Sequence, residues 1–124
     1  MFENIQRGVY QVGEKSYYFR SKWEYEYACY LEWLKNKKQI YDWKYEPKTF
    51  EFPIKHGTTR YIPDFQVFNT KDKWGWHEVK GYLTGKANTQ IKRFKKYYPK
   101  EKHILIDGEW FKTSKKMSKL WLNL

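Results

Sequence analysis

The stretch RYIPDFQVFNTKDKWGWHEVK, residues 60–80, decides the fold. Arg60 to Phe68 and Trp74 to Lys80 are rich in aromatic and branched side chains, and the polar run Asn69-Thr70-Lys71-Asp72-Lys73 joins them, so the two segments read as neighbouring strands of one sheet. Side chains alternate along a strand, which sends Glu78 and Lys80 to one face and Val79 between them into the core. With the strand carrying Asp64 alongside, that carboxylate converges on Glu78.

Outward from this pair the elements are marked clearly. Val9-Tyr10-Gln11-Val12 and Tyr17-Tyr18-Phe19 flank a turn at Gly13 and predict a hairpin. Ser21-Lys22-Trp23-Glu24 has the form of a capping box, and Trp23, Tyr27, Tyr30, Leu31 and Leu34 recur at helical spacing, so a helix is expected from Ser21 to about Lys37. Asp42 to Glu46 and Thr49 to Phe52 alternate as strands on either side of Pro47. Ala87, Ile91, Phe94 and Tyr98 predict a second helix from about Lys86 to Tyr98, ended by Pro99. His103-Ile104-Leu105-Ile106 suits a buried strand, and strand, helix, strand implies a right-handed parallel crossover. The fold class expected is therefore α/β, a central mixed β-sheet flanked by α-helices.

Composition bounds the function. The chain has 124 residues, 25 Lys+Arg against 14 Asp+Glu, and a net charge of +11. That length suits one domain, here residues 1–124, with a short basic tail from about residue 109 holding Lys112, Lys115, Lys116 and Lys119. Aromatic residues make up 22% of the chain, enough apolar surface for a real core, which excludes disorder. Cys29 stands alone and cannot form an intramolecular disulfide. Met1 to Arg20 holds no apolar leader followed by a cleavage site, and no stretch is long enough to span a membrane, so a cytoplasmic protein is expected. Such a positive surplus favours an anionic partner, and nucleic acid leads.

The chemistry follows from Asp64 and Glu78. Two carboxylates can hold a hard cation such as Mg²⁺, which prefers oxygen ligands and keeps several waters. Lys80 then lies beside both the metal and a phosphate, which is the equipment of metal-assisted phosphodiester hydrolysis. The competing account of these residues is a solvated strand face with an ordinary ion pair. Glu24 likewise reads two ways, as the return arm of the capping box or as a third acid beside the sheet.

Pro63-Asp64 followed by Glu78-Val79-Lys80 resembles the signature of the PD-(D/E)XK nuclease superfamily. Together with Phe19 to Glu24 and Tyr45-Glu46-Pro47, it is similar to small phage-type endonucleases related to Holliday junction resolvases, from about Val9 to Asp107. The resemblance implies a restriction-endonuclease-like fold and a catalytic set of Glu24, Asp64, Glu78 and Lys80. The metal ligands it implies are Asp64, Glu78, the backbone carbonyl of Val79, and Glu24. It implies Mg²⁺ as cofactor, with Mn²⁺ as substitute, no small-molecule cofactor, branched DNA as substrate, a homodimer, and the host cytoplasm for a phage-encoded enzyme.

The same resemblance implies that Lys86 and Gln90 complete the site from the second helix, and the basic face of that helix suggests that Lys92, Arg93 and Lys96 contact phosphates without reading sequence. The other readings are a restriction-like or nicking nuclease on linear DNA, or a non-catalytic DNA-binding module that kept the fold. Glu46 reads as structural. His56, His77 and His103 lie in separate elements without a cysteine at ligand spacing, which argues against zinc, and His77 is expected on the sheet face opposite Glu78. Cys29 reads as an inert core thiol.

Overall fold

The computed structural model describes residues 7–122, and the first element among them is a hairpin closed by a glycine turn. β1 (Gly8–Val12) and β2 (Lys15–Phe19) pair antiparallel, from Gly8 opposite Phe19 to Val12 opposite Lys15. Gly13, at φ +66, makes the link, a conformation that costs glycine little. Residues 1–6, part of the N-terminus expected to hold no leader, and residues 123–124, part of the expected single domain, lie outside the described residues.

The first helix, α1 (Lys22–Asn36), begins where the cap predicts, because the Ser21 hydroxyl accepts the Glu24 N–H at 3.2 Å. β3 (Asp42–Tyr45) follows, then the two-residue strands β4 (Phe50–Glu51) and β5 (Arg60–Tyr61), then β6 (Phe65–Thr70) and β7 (Lys73–Val79). Next, α2 (Gly85–Tyr97) leads to β8 (His103–Ile106). The main sheet runs β3-β6-β7-β8, antiparallel except for the parallel β7–β8 pair on either side of α2. The protein is thus a mixed α/β domain with a central mixed sheet flanked by helices.

Two apolar layers sandwich that sheet. On one face Phe65, Val67, Val79 and Ile106 meet Phe19 and the α1 residues Tyr27, Ala28 and Leu31. On the other, Trp76 meets Phe94 of α2 together with Phe50, Phe52 and Tyr61 from the β4–β5 pair. The alternation of β7 explains the split, since Trp76 and Val79 are an odd number of residues apart and must point to opposite faces.

Three expectations need correction. β8 is an edge strand of the sheet and not a buried one, with Ile104 and Leu105 exposed. Residues 60–68 do not form one strand. Pro63 has no N–H to give a ladder, and the Asp64 N–H donates to Glu78 Oε1 at 3.3 Å, so the chain breaks and β5 pairs with β4 instead of β7. Nor is the segment from 109 a loose basic tail. α3 (Gly108–Ser114), a 3₁₀ turn at Lys115–Met117 and α4 (Lys119–Leu122) fold back, and Phe111 joins the α1 face of the core. The lysines hid an aromatic face, in which Trp110 and Trp121 each lie 4.9 Å, centroid to centroid, from Tyr30.

Trp23 joins this cap to the sheet. Its ring stacks on Phe111 at 4.4 Å and 11° and lies directly over Gly81, where a Cβ would meet Trp23 Cζ3 at 2.5 Å. Gly81→Ala is therefore expected to push the indole off its stack and to destabilise the protein by about 1–3 kcal/mol, read from the urea midpoint. Gly108 meets the same ring at 3.3 Å, so Gly108→Ala should cost less. No helix among the described residues is long and apolar enough to cross a membrane.

Candidate functional site

The break at Pro63 builds the site. Asp64 immediately precedes β6; its carbonyl still accepts the Glu46 N–H at 2.8 Å, while its side chain reaches β7, where Oδ2 accepts the Val79 N–H at 2.7 Å. In return the Asp64 N–H reaches Glu78, so each acidic residue is held by the other's strand. Glu78 Oε2 lies 3.5 Å from Lys80 Nζ, which places Glu78 and Lys80 on one face as alternation requires, while Val79 packs its side chain into the core and spends its N–H on Asp64.

Both carboxylates are buried, Asp64 at 4% and Glu78 at 4% exposure. Burial pushes the Asp64 carboxyl well above the ordinary range, and the charges of Glu78 and then Glu24 push it further; the Val79 N–H and Lys80 oppose the shift. Glu78 is also raised by burial, but less protected from ionising, because Tyr61, Lys80 and the Asp64 N–H all favour its charged form. Two like charges held this close out of water call for a counter-charge that a single half-exposed lysine does not fully supply.

Glu24 does not close the capping box as drawn from sequence. Its Oε1 accepts the N–H of Arg20 at 3.3 Å, not that of Ser21, and the Tyr45 hydroxyl at 2.5 Å. It is 8% exposed and faces the same cleft. Arg20, at the cleft mouth, pairs with Glu46 at 2.5 Å, which gives Glu46 the structural role expected of it.

These groups line a cleft of about 460 Å³ with Arg60, Tyr61, Lys86 and Gln90. Of the α2 residues expected at nucleic acid, Lys86 and Gln90 thus reach the cleft. The Gln90 side-chain amide donates to the Arg60 carbonyl at 3.1 Å, and Arg93 Nη1 donates to Thr58 and His56 carbonyls at 2.5 and 3.4 Å, so both fasten the β4–β5 loop to α2. Lys92 and Lys96 are exposed and do not line the cleft.

The donor chemistry fits a hard divalent cation. Among the described residues no three His, Cys, Asp or Glu side chains form a ready-made cage. Mg²⁺ is commonly held by one or two carboxylates with waters and substrate phosphate completing its shell, and Asp64 and Glu78 supply that pair.

Elsewhere, His77 lies on the face opposite Glu78, with Nδ1 2.6 Å from the Tyr27 hydroxyl, and burial pushes it down to about 4. Cys29 is half-buried, and burial pushes its thiol up to about 11, as suits an unreactive core residue. Sequence reasoning missed Tyr61, Tyr45 and Arg20 as site residues. Arg20 and Tyr45 stand inside the stretches Phe19 to Glu24 and Tyr45-Glu46-Pro47 but were given no role there, and for Tyr61 only the break at Pro63 hinted that the residue turns inward.

Fold and site together define an α/β domain whose mixed sheet presents two buried carboxylates and a lysine to a basic-rimmed cleft. The chain belongs to the family described as "Protein of unknown function (DUF1064)", whose model matches residues 8–119, from β1 into α4. No curated protein and no solved structure matches it.

Proposed function

We propose that this protein is a Mg²⁺-dependent DNA endonuclease of the PD-(D/E)XK type with a restriction-endonuclease-like sheet, working in the cytoplasm. One observation carries the reading: Asp64 and Glu78 are buried together at the floor of an open cleft, with Lys80 3.5 Å from Glu78. A structural ion pair would gain nothing from a second buried carboxylate, whereas a site for a divalent cation and a phosphodiester needs one.

Asp64 and Glu78 would hold the ion. Bound there, Mg²⁺ supplies charge neutralisation at the phosphoryl oxygens and acidifies water. Lys80, its side chain 38% exposed beside Glu78, orients the attacking water or meets the charge that develops on the phosphoryl group. Lys86 at the rim holds a flanking phosphate, and the +11 net charge draws in the polyanion, with binding that weakens as salt rises.

Resemblance favours a four-way junction as substrate and a symmetric homodimer, since resolving a junction requires two cuts. The test is cleavage of a labelled four-way junction beside its linear arms, in Mg²⁺ and in EDTA. Paired Mg²⁺-dependent cuts confined to the junction are expected. Glu78→Ala is expected to reduce cutting to below roughly a thousandth while DNA binding persists. Equal cutting of linear arms removes the branch preference, and undiminished cutting by Glu78→Ala removes the site.

A further inference from the structure

Glu78 is held from behind by two residues that the metal and the phosphodiester need not touch. Tyr61 Oη, on β5, donates to Glu78 Oε1 at 2.7 Å, and His103 Nε2, on β8, lies 2.9 Å from the same Oη. A phenol has one proton. Spent on Glu78, it leaves only lone pairs toward His103, so the imidazole must carry its own proton on Nε2 and donate it to Tyr61. The ring is suited to that neutral form, since burial, and then the nearby Lys95, push it down to about 4.

Packing fixes the chain of bonds. Phe94 of α2, fully buried, lies 5.4 Å from the Tyr61 ring and 5.5 Å from the His103 ring, so both are clamped from the α2 side. With the Asp64 N–H also on it, Glu78 Oε1 has two donors, and Oε2, beside Lys80, is the oxygen left for the cleft. Without the phenol, Oε1 keeps one bond of 3.3 Å, and only that bond and Lys80, 3.5 Å from Oε2, hold the carboxylate.

We propose that Tyr61 and His103 are positioning residues for the metal-binding carboxylate: a His103-to-Tyr61-to-Glu78 hydrogen-bond relay that commits Oε1 to the protein and presents Oε2 to the cation. This rests on the reading of Asp64 and Glu78 as the ligands. Partners that orient a ligand in this way typically govern metal affinity by about 10–100-fold.

The test is calorimetric titration of the whole protein with Mn²⁺, without DNA, for wild type, Tyr61→Phe, His103→Leu and His103→Gln, with circular dichroism as the check on folding. Tyr61→Phe is expected to weaken Mn²⁺ binding at least about tenfold and His103→Leu to weaken it by less. His103→Gln, whose amide brings an N–H near the position of Nε2, should recover most of the loss. A merely structural role would not distinguish Gln from Leu in metal affinity. If wild type binds and Tyr61→Phe binds equally well, the relay is wrong and the ligands stand. If Tyr61→Phe does not fold, equal Mn²⁺ affinity in the two His103 variants overturns the relay. If wild type takes up no Mn²⁺, the ligand assignment falls and the relay with it.

Discussion

Asp64→Asn is expected to abolish Mg²⁺-dependent cleavage and, in EDTA, to raise the melting temperature. The amide keeps the shape of the carboxylate, and its oxygen can still accept the Val79 N–H that Asp64 Oδ2 accepts now. What it removes is a buried like charge. Asp64 is raised by burial, then by Glu78 and Glu24, so the folded chain holds its proton more tightly than the unfolded chain, whose value lies near 3.8. Stability from that difference is fully present below the unfolded value and drains away as pH rises through the folded one. The metal-free protein loses it as pH rises through that folded value, and the asparagine variant has nothing to lose. Mg²⁺ acts in the other direction: a ligand that binds only the folded state adds about 2.7 kcal/mol at a hundred times its Kd. Melting curves of both proteins at pH 5 and pH 8, with EDTA and with Mg²⁺, separate these effects. Wild type should gain from Mg²⁺ more at pH 8, and the variant should show neither the gain nor the same slope. A variant that melts lower in EDTA and still responds to Mg²⁺ would make Asp64 a structural residue.

Much of this arrangement was legible in the sequence because it is local. Alternation placed Glu78 and Lys80 together and Val79 behind them, and the cap at Ser21 placed the start of α1, since each depends on a handful of adjacent residues. The residues around that core were not legible, for physical reasons. Tyr61 was read as an interior residue of a long strand, and only Pro63, with no N–H, turns it out of the sheet and under Glu78. His103 could be weighed only for metal-ligand spacing, because its partner lies 42 residues away. Arg93 read as a phosphate contact from its charge alone, whereas its guanidinium is taken up by two loop carbonyls. Charge shows in composition, but what already satisfies it is a tertiary fact. The same holds for the C-terminal lysines, whose sequence reading as a basic tail missed the aromatic residues between them.

That segment carries the second large effect. Phe111→Ala is expected to destabilise the protein by about 3–5 kcal/mol, the range for removing a buried aromatic, against a total of about 5–15 kcal/mol for a domain. Phe111 is 8% exposed, stacks on Trp23 at 4.4 Å and meets Trp110 edge-on at 4.9 Å. The cavity left behind cannot easily collapse, because Trp23 is held against the backbone at Gly81 and Gly108. The loss should also reach the cleft. Trp23 stands two residues after the cap residue of α1 and rests on the glycine that follows Lys80, so an indole that swings into the vacated space loosens Glu24 and Lys80 together. A urea titration should show the midpoint falling with little change in slope, and residual cleavage by the folded fraction should fall as well. An unchanged midpoint would mean that α3 is an appendage, and that the aromatic cap contributes nothing to holding Lys80 where the chemistry needs it.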